Sequence, residues 1–326
     1  MLGAFFALLA GAVFAWTNAA VRRGVLTGSA AVATTLSVSV GLPIFLVALM
    51  ATGNPGRLFQ LSGQSVAVFA AVGVSHFIIG RGSNYRALRA IGATLAGSVM
   101  QFSGLVSLGL AVFFLGETLT PLRILGIVMV LAGPLFVPRG QGAAMPNQAT
   151  FTPRYVEGYA FALLAALCYG VSPALVRYSV GGQGLAASLS GGIIAAGSAT
   201  IVVLVLLLLS PRRRHEVRHV DPVAAKLFLS SGIMVYISQV FAYMALALAP
   251  VTIIAPILGL ASVWRLYFAQ RMNPDHEVFG TEIILGTVIS FLGVIVLALS
   301  GDAQPYVESW LPASWSPFLQ WHWPHA

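Results

Sequence analysis

The chain has 326 residues, 58% of them hydrophobic and 8% charged, with a formal net charge of +8. A soluble domain carries about 25% charged residues, so there is too little polar surface here to solvate a globule, and the solvent must be lipid. The basic excess sits in short loops between apolar runs, where it orients a membrane protein and meets anionic headgroups; this argues against a nucleic-acid partner.

A bilayer core about 30 Å thick takes roughly 20 apolar residues per helix. Ten such runs follow one another, at about 2–21, 30–51, 65–88, 91–115, 121–137, 155–178, 185–209, 223–248, 250–270 and 280–300. The short alternating segments of a membrane barrel are absent. The first run lacks a basic leader and a small-residue cleavage site and recurs later in the chain, so it reads as a permanent span. The single cysteine, Cys168, lies inside a span, which excludes an intrachain disulfide and a cysteine metal site. No metal and no cofactor are expected.

The chain repeats itself. Gly3 to Ala10 opens the first span and Gly158 to Ala165 the sixth, so that Phe6 falls on Phe161 and Val21-Arg22 on Val176-Arg177. Tyr85 to Leu88 matches Tyr243 to Leu246, Glu117 matches Glu277, and Gly126 and Gly133 match Gly286 and Gly293. The boundaries read as a first five-helix repeat over 1–137, a Pro/Gly/Gln linker over 138–154, a second repeat over 155–300, and a Trp-rich interfacial tail over 301–326. Five spans per copy is an odd number, so the second copy enters the membrane from the opposite side. The expected fold is an all-α polytopic membrane protein, ten transmembrane helices as two inverted five-helix repeats around a central cavity.

Small residues form stripes in the seventh span, Ser188, Gly192, Ala196 and Thr200 beside Gly191, Ala195 and Ala199, as close helix contacts in lipid require. Pro250 and Pro256 predict a bent ninth span, with Gly92 and Ser98 at the matched positions of the fourth. Glu117 reads as a loop carboxylate capping the next helix, with Thr120 as N-cap and Pro121 at the first helical position.

No Asp or Glu lies mid-span, so the polar groups that remain there carry the functional reading. Arg81 lies roughly 8–13 Å from the nearer surface. Gly80 and Gly82 predict open space beside it, and Asn84 and Tyr85 share its helical face. Gln239 is its repeat partner, with Tyr243 matching Tyr85. Arg265 in the ninth span is the analogous cation. Two guanidiniums without a buried acid suit a carboxylate, phosphate or sulfonate, and Trp16, Tyr169 and Tyr236 would supply amphipathic walls. His76 is the one mid-span group that titrates near neutral pH, a possible proton relay or a neutral donor to a neighbouring helix.

Leu115-Gly-Glu-Thr-Leu-Thr-Pro-Leu-Arg-Ile-Leu-Gly resembles the fourth-to-fifth helix junction of the EamA-type drug/metabolite transporters, and Tyr85-Arg-Ala-Leu-Arg-Ala-Ile-Gly-Ala resembles that family's junction between helices three and four. Cys168-Tyr-Gly-Val-Ser-Pro with Val176-Arg177 resembles its repeat-opening helix. The likeness covers about 1–300; the second half carries Asn273 to Gly280 in place of the Gly-Glu motif. It implies helices three, four, eight and nine around a central cavity, export or exchange of small metabolites, and both termini in the cytoplasm. The basic residues favour the reverse orientation, since an outside N-terminus leaves only Arg57, Arg123 and Arg177 on the outer face. The expected function is a secondary active or exchange transporter of a small organic metabolite, anionic or zwitterionic, in the cytoplasmic membrane. The alternatives are an amino-acid or drug exporter and, further off, a lipid-flipping or structural subunit. Neither an enzyme motif nor a Walker motif is present. The expected partners are the substrate and membrane lipids, in a monomer or homodimer.

Overall fold

The computed structural model describes residues 1–100, 102–132, 154–261, 264, 268, 281–300, 309, 310, 312, 314 and 321–323. Among them the regular structure is helical, with one isolated β-bridge. The first part of the chain gives α1 (Leu2–Thr27), α2 (Ala30–Ser39), α3 (Gly41–Ala51), a 3-10 turn (Pro55–Gln60), α4 (Gly63–Val72), a π-helical segment (Gly73–Gly80), α5 (Arg81–Met100), α6 (Phe102–Leu115) and α7 (Pro121–Ala132). The second part gives α8 (Tyr155–Val180), α9 (Leu185–Leu209), the short basic α10 (Pro211–Arg218), α11 (Pro222–Leu248), α12 (Val251–Gly259) and α13 (Thr281–Leu299). Six helical stretches among the described residues are long and apolar enough to cross a membrane.

Elements of the two parts pack mainly against one another: α1 on α11, α5 on α8, α3 on α9, α6 on α12, and α7 on α13. Small residues permit this. The α9 stripe expected from sequence is buried as far as Ala199, with Gly191 against the ring of Phe69 and Gly192 against Phe45. At the α7–α13 crossing Gly126 meets Gly293, and a β-carbon on Gly126 would lie 3.0 Å from the Gly293 carbonyl oxygen. In lipid such contacts supply van der Waals packing where apolar burial drives little.

The two ends of the bundle differ in charge. At one end Gly3 lies against Ala249, Arg57 donates to Gln183 (3.3 Å), and Glu117, Arg123, Arg177 and Pro250 line one surface hollow. At the other, the end of α1 rests on Phe228, Ser29 donates to Glu216 (2.9 Å), and Arg154 N–H meets the Ala90 carbonyl (3.0 Å). This second end collects Arg86, Arg89, Arg154, Lys226 and the arginines of α10. Glu216 sits there, held below the usual carboxylate range by the Ser29 hydroxyl and by Arg212.

The Gly-Glu-Thr-Leu-Thr-Pro motif folds with a task for most of its residues. Gly116, at φ 65, takes the left-handed turn that ends α6. Thr120 Oγ1 accepts from Arg123 N–H (3.3 Å), and Pro121 occupies the first position of α7, where a missing N–H costs nothing. Leu119 pairs with Trp323 through two backbone bonds (2.7 and 3.0 Å), which docks the end of the tail on the N-terminal end of the bundle. Glu117 corrects the sequence expectation: its carboxylate caps not the next helix but α12, accepting from Val251 N–H and Thr252 N–H at 2.8 Å each. A charge on two otherwise orphaned helix donors is a strong cap. Glu117→Ala is therefore expected to cost about 2–3 kcal/mol and Glu117→Gln, which keeps one acceptor, about half as much, read as melting temperature in detergent.

The bend expected in the fourth span is at Gly92, whose φ of 80 breaks α5. Pro250, its repeat match, is the N-cap of α12, and Pro256 lies inside that helix.

Candidate substrate-binding site

A cavity of about 150 Å³ lies between the two parts of the chain, walled by α1, the end of α4, the π-helical segment, α5, α6, α7, α8, α11 and α12. His76 and Tyr169 stand at mid-bundle, and from there the cavity runs past Ser107, Val176 and Leu246 toward the N-terminal end. Its position follows from local structure. The π-helical segment widens the third span by about one residue per turn and carries His76 inward, a distortion frequent at functional sites.

His76 Nδ1 lies 2.9 Å from Ser172 Oγ, and Ser172 Oγ lies 2.8 Å from the Cys168 carbonyl oxygen, to which it must donate. The serine hydrogen is thereby used, so His76 Nδ1 is the donor and Nε2 is left as the acceptor. The His76 ring rests on Tyr169 at 4.6 Å between centroids and on Phe77 at 4.9 Å.

Beyond this floor, toward the basic end, lies Arg81. It is 2% exposed, and its guanidinium carbon sits 5.0 Å from the Phe77 ring centroid and 4.6 Å from that of Tyr236. The rings continue through Phe45 to Tyr243, at 6.1 and 5.2 Å. Inside this aromatic cluster both terminal nitrogens of Arg81 and the hydroxyls of Tyr236 and Tyr243 are buried without a hydrogen-bond partner. Each bond left unmade costs about 1–3 kcal/mol, and more for a charged group. Buried polar groups are nearly always hydrogen-bonded, so this cluster marks a place with donors to spare.

The residues singled out in the sequence separate into three groups. His76, Tyr169, Gln239 and Tyr243 meet at the cavity wall. Arg81 does not line it as expected, and the reason is packing: Gly80 leaves no open space, since a β-carbon there would lie 3.0 Å from both Cys168 and Tyr169. Asn84 and Tyr85 stand off the wall as well. Asn84 donates to Asn18 Oδ1 (3.1 Å), and Tyr85 is buried among Val21, Val25 and Leu88. Trp16 is half-buried and does not line the cavity. Arg265 and Glu277 lie outside the described residues. Sequence reasoning missed Phe77 and Ser172. Phe77 lies one turn before Arg81, and Ser172 lies one turn after Cys168 in the motif already singled out; each spacing was available as a signal.

Residues 1–138 match the model of the EamA-like transporter family. No curated protein matches the chain. A solved structure described as "Crystal structure of protein" shares 18% identity with a TM-score of 0.64, over 91% of this chain and 98% of its own; at that identity the likeness is one of fold. The members of the matched family are transporters, and its helices accord with the long apolar helices described above. Over its first 138 residues the chain matches the EamA-like transporter family, a domain of the drug/metabolite transporter superfamily, and its long apolar helices fit a multi-pass membrane protein.

Proposed function

We propose that the protein is a secondary active or exchange transporter of a small organic metabolite, anionic or zwitterionic, working by alternating access. The observation that carries this reading is the cavity enclosed between the two parts of the chain, with the unpartnered Tyr243 hydroxyl on its wall and the buried Arg81 beyond its floor. The ten spans are two inverted repeats, and the packing supports this arrangement. The main contacts of α1 have counterparts under exchange of the halves: α1 on α11 answers α8 on α5, and α1 on α12 answers α8 on α6. The pairs α3 with α9, α6 with α12 and α7 with α13 map onto themselves, as a two-fold axis in the membrane plane requires. Rocking one half against the other would close the cavity toward the N-terminal end and open it toward the basic end.

The site residues are Arg81, Tyr236, Gln239, Tyr243 and Tyr169, with His76 offering an acceptor at Nε2. The basic end faces the cytoplasm, because Arg86, Arg89, Arg154, Lys226 and the α10 arginines gather there. Thiol-specific labelling of single cysteines at Gly56 and Arg213 from outside intact cells is expected to modify only the first; modification of only the second would reverse the orientation. For the function itself, proteoliposomes loaded with a mixture of organic acids and amino acids are expected to lose at least one solute only when protein is present and the same solute is supplied outside. Solute loss identical to protein-free vesicles would sink the carrier reading.

A further inference from the structure

The charges along the pathway narrow the substrate class. Among the described residues lining the cavity there is no Asp or Glu, so nothing there compensates an ammonium group. Glu117, the carboxylate at the N-terminal end, has both oxygens engaged by the backbone of α12. Beside it in the surface hollow stand two cations, Arg123, whose Nε is buried without a partner, and Arg177. At the inner end Arg81 is held between two rings, which cover the guanidinium but use none of its terminal N–H donors. The Tyr236 hydroxyl, on a ring that covers Arg81, is a further buried donor, and the Tyr243 hydroxyl, on the cavity wall, is another without a partner. Between these polar ends the wall is largely apolar, built from such residues as Phe14, Val72, Leu131, Pro173 and Val176.

We infer that the site takes a net-anionic monocarboxylate with an apolar body, its carboxylate on Arg81 and the tyrosine hydroxyls, and that it rejects the amine-bearing counterpart of the same shape. This rests on the carrier reading above and deepens it. A planar carboxylate matches the guanidinium edge in bidentate fashion. A dianion such as phosphate would bring a second charge into a low-dielectric site with one cation to meet it. The cavity holds about five water volumes, the scale of one ring with a short side chain. Phe77 packs on both His76 at the cavity floor and Arg81, so its ring has to turn aside for the carboxylate to reach the guanidinium.

The test uses the purified full chain in detergent with three probes of one shape: phenylpropionate, L-phenylalanine, which adds an ammonium group, and phenethylamine, which lacks the carboxylate. Phenylpropionate is expected to raise the melting temperature saturably, at least about tenfold more tightly than L-phenylalanine, with no shift from phenethylamine. Arg81→Met should abolish the shift. Tyr243→Phe, which removes a single hydroxyl and leaves the packing intact, should weaken it about three- to tenfold. Equal or tighter binding of L-phenylalanine overturns the inference, as does a phenylpropionate shift that survives Arg81→Met. If phenylpropionate has no effect while proteoliposomes exchange another solute, the substrate class is wrong and the carrier reading stands. If no solute is exchanged at all, the carrier reading falls with it.

Discussion

Arg81→Met is expected to raise the melting temperature of the ligand-free protein while removing its response to organic acids. The two effects have opposite signs because they read two sides of one arrangement. An arginine is always ionised, and taking it out of water costs several kcal/mol even after relaxation. The rings of Phe77 and Tyr236 return about 0.5–2 kcal/mol each, which leaves the guanidinium short of compensation. Methionine fills a similar volume without the charge. The expected gain is about 1–3 kcal/mol, a rise of a few degrees in a detergent melt. Against that, two charge-assisted bonds to the substrate are lost, about 3 kcal/mol or roughly a hundredfold in affinity. An arginine kept only for packing would behave differently, and its loss would lower the melting temperature without selective effect on solutes.

Gly73→Val is expected to reduce sharply the amount of folded protein recovered from the membrane. A β-carbon at Gly73 would fall well inside contact distance of the Ser198 hydroxyl and, more seriously, of the Ala195 backbone carbonyl on α9. A side chain could turn away, but a backbone cannot without displacing its helix. The cost is at least about 3 kcal/mol, a large part of an ordinary stability of about 5–15 kcal/mol and enough to cut the folded yield sharply. Gly104→Val is the matched control, since nothing lies within 4 Å of that position. The comparison is read as the yield of monodisperse protein in detergent.

What the sequence made legible was whatever depends on composition and spacing. Apolar run lengths located the six long helical stretches among the described residues, because a bilayer demands them, and the α9 stripe of Gly191, Gly192, Ala195 and Ala199 is buried where its spacing placed it. The Thr120-Pro121 start of α7 was readable for the same reason, since a helix terminus is local. What was not legible depends on partners far away in the chain. Glu117 looks like a cap for its own neighbourhood, yet the donors it satisfies are more than a hundred residues on, at Val251 and Thr252. Arg81 looked accessible because two glycines flank it, and a sequence does not say that Cys168 and Tyr169 press against one of them. The π-helical segment has no spacing signature of its own. Nothing before it announces that His76 will turn toward Ser172 while Phe77 turns toward Arg81.

The claim that the cavity is a carrier's substrate site, reached in turn from either end, is tested most directly by the reactivity of one thiol. Gly104→Cys in a Cys168→Ser background places it on the cavity wall with open space around it. In sided vesicles a membrane-impermeant thiol reagent is added to one face or the other, with and without a solute that the protein exchanges. The account predicts reaction from both faces, slowed from both by the solute. Reaction from a single face under every condition, or rates indifferent to the exchanged solute, would contradict it.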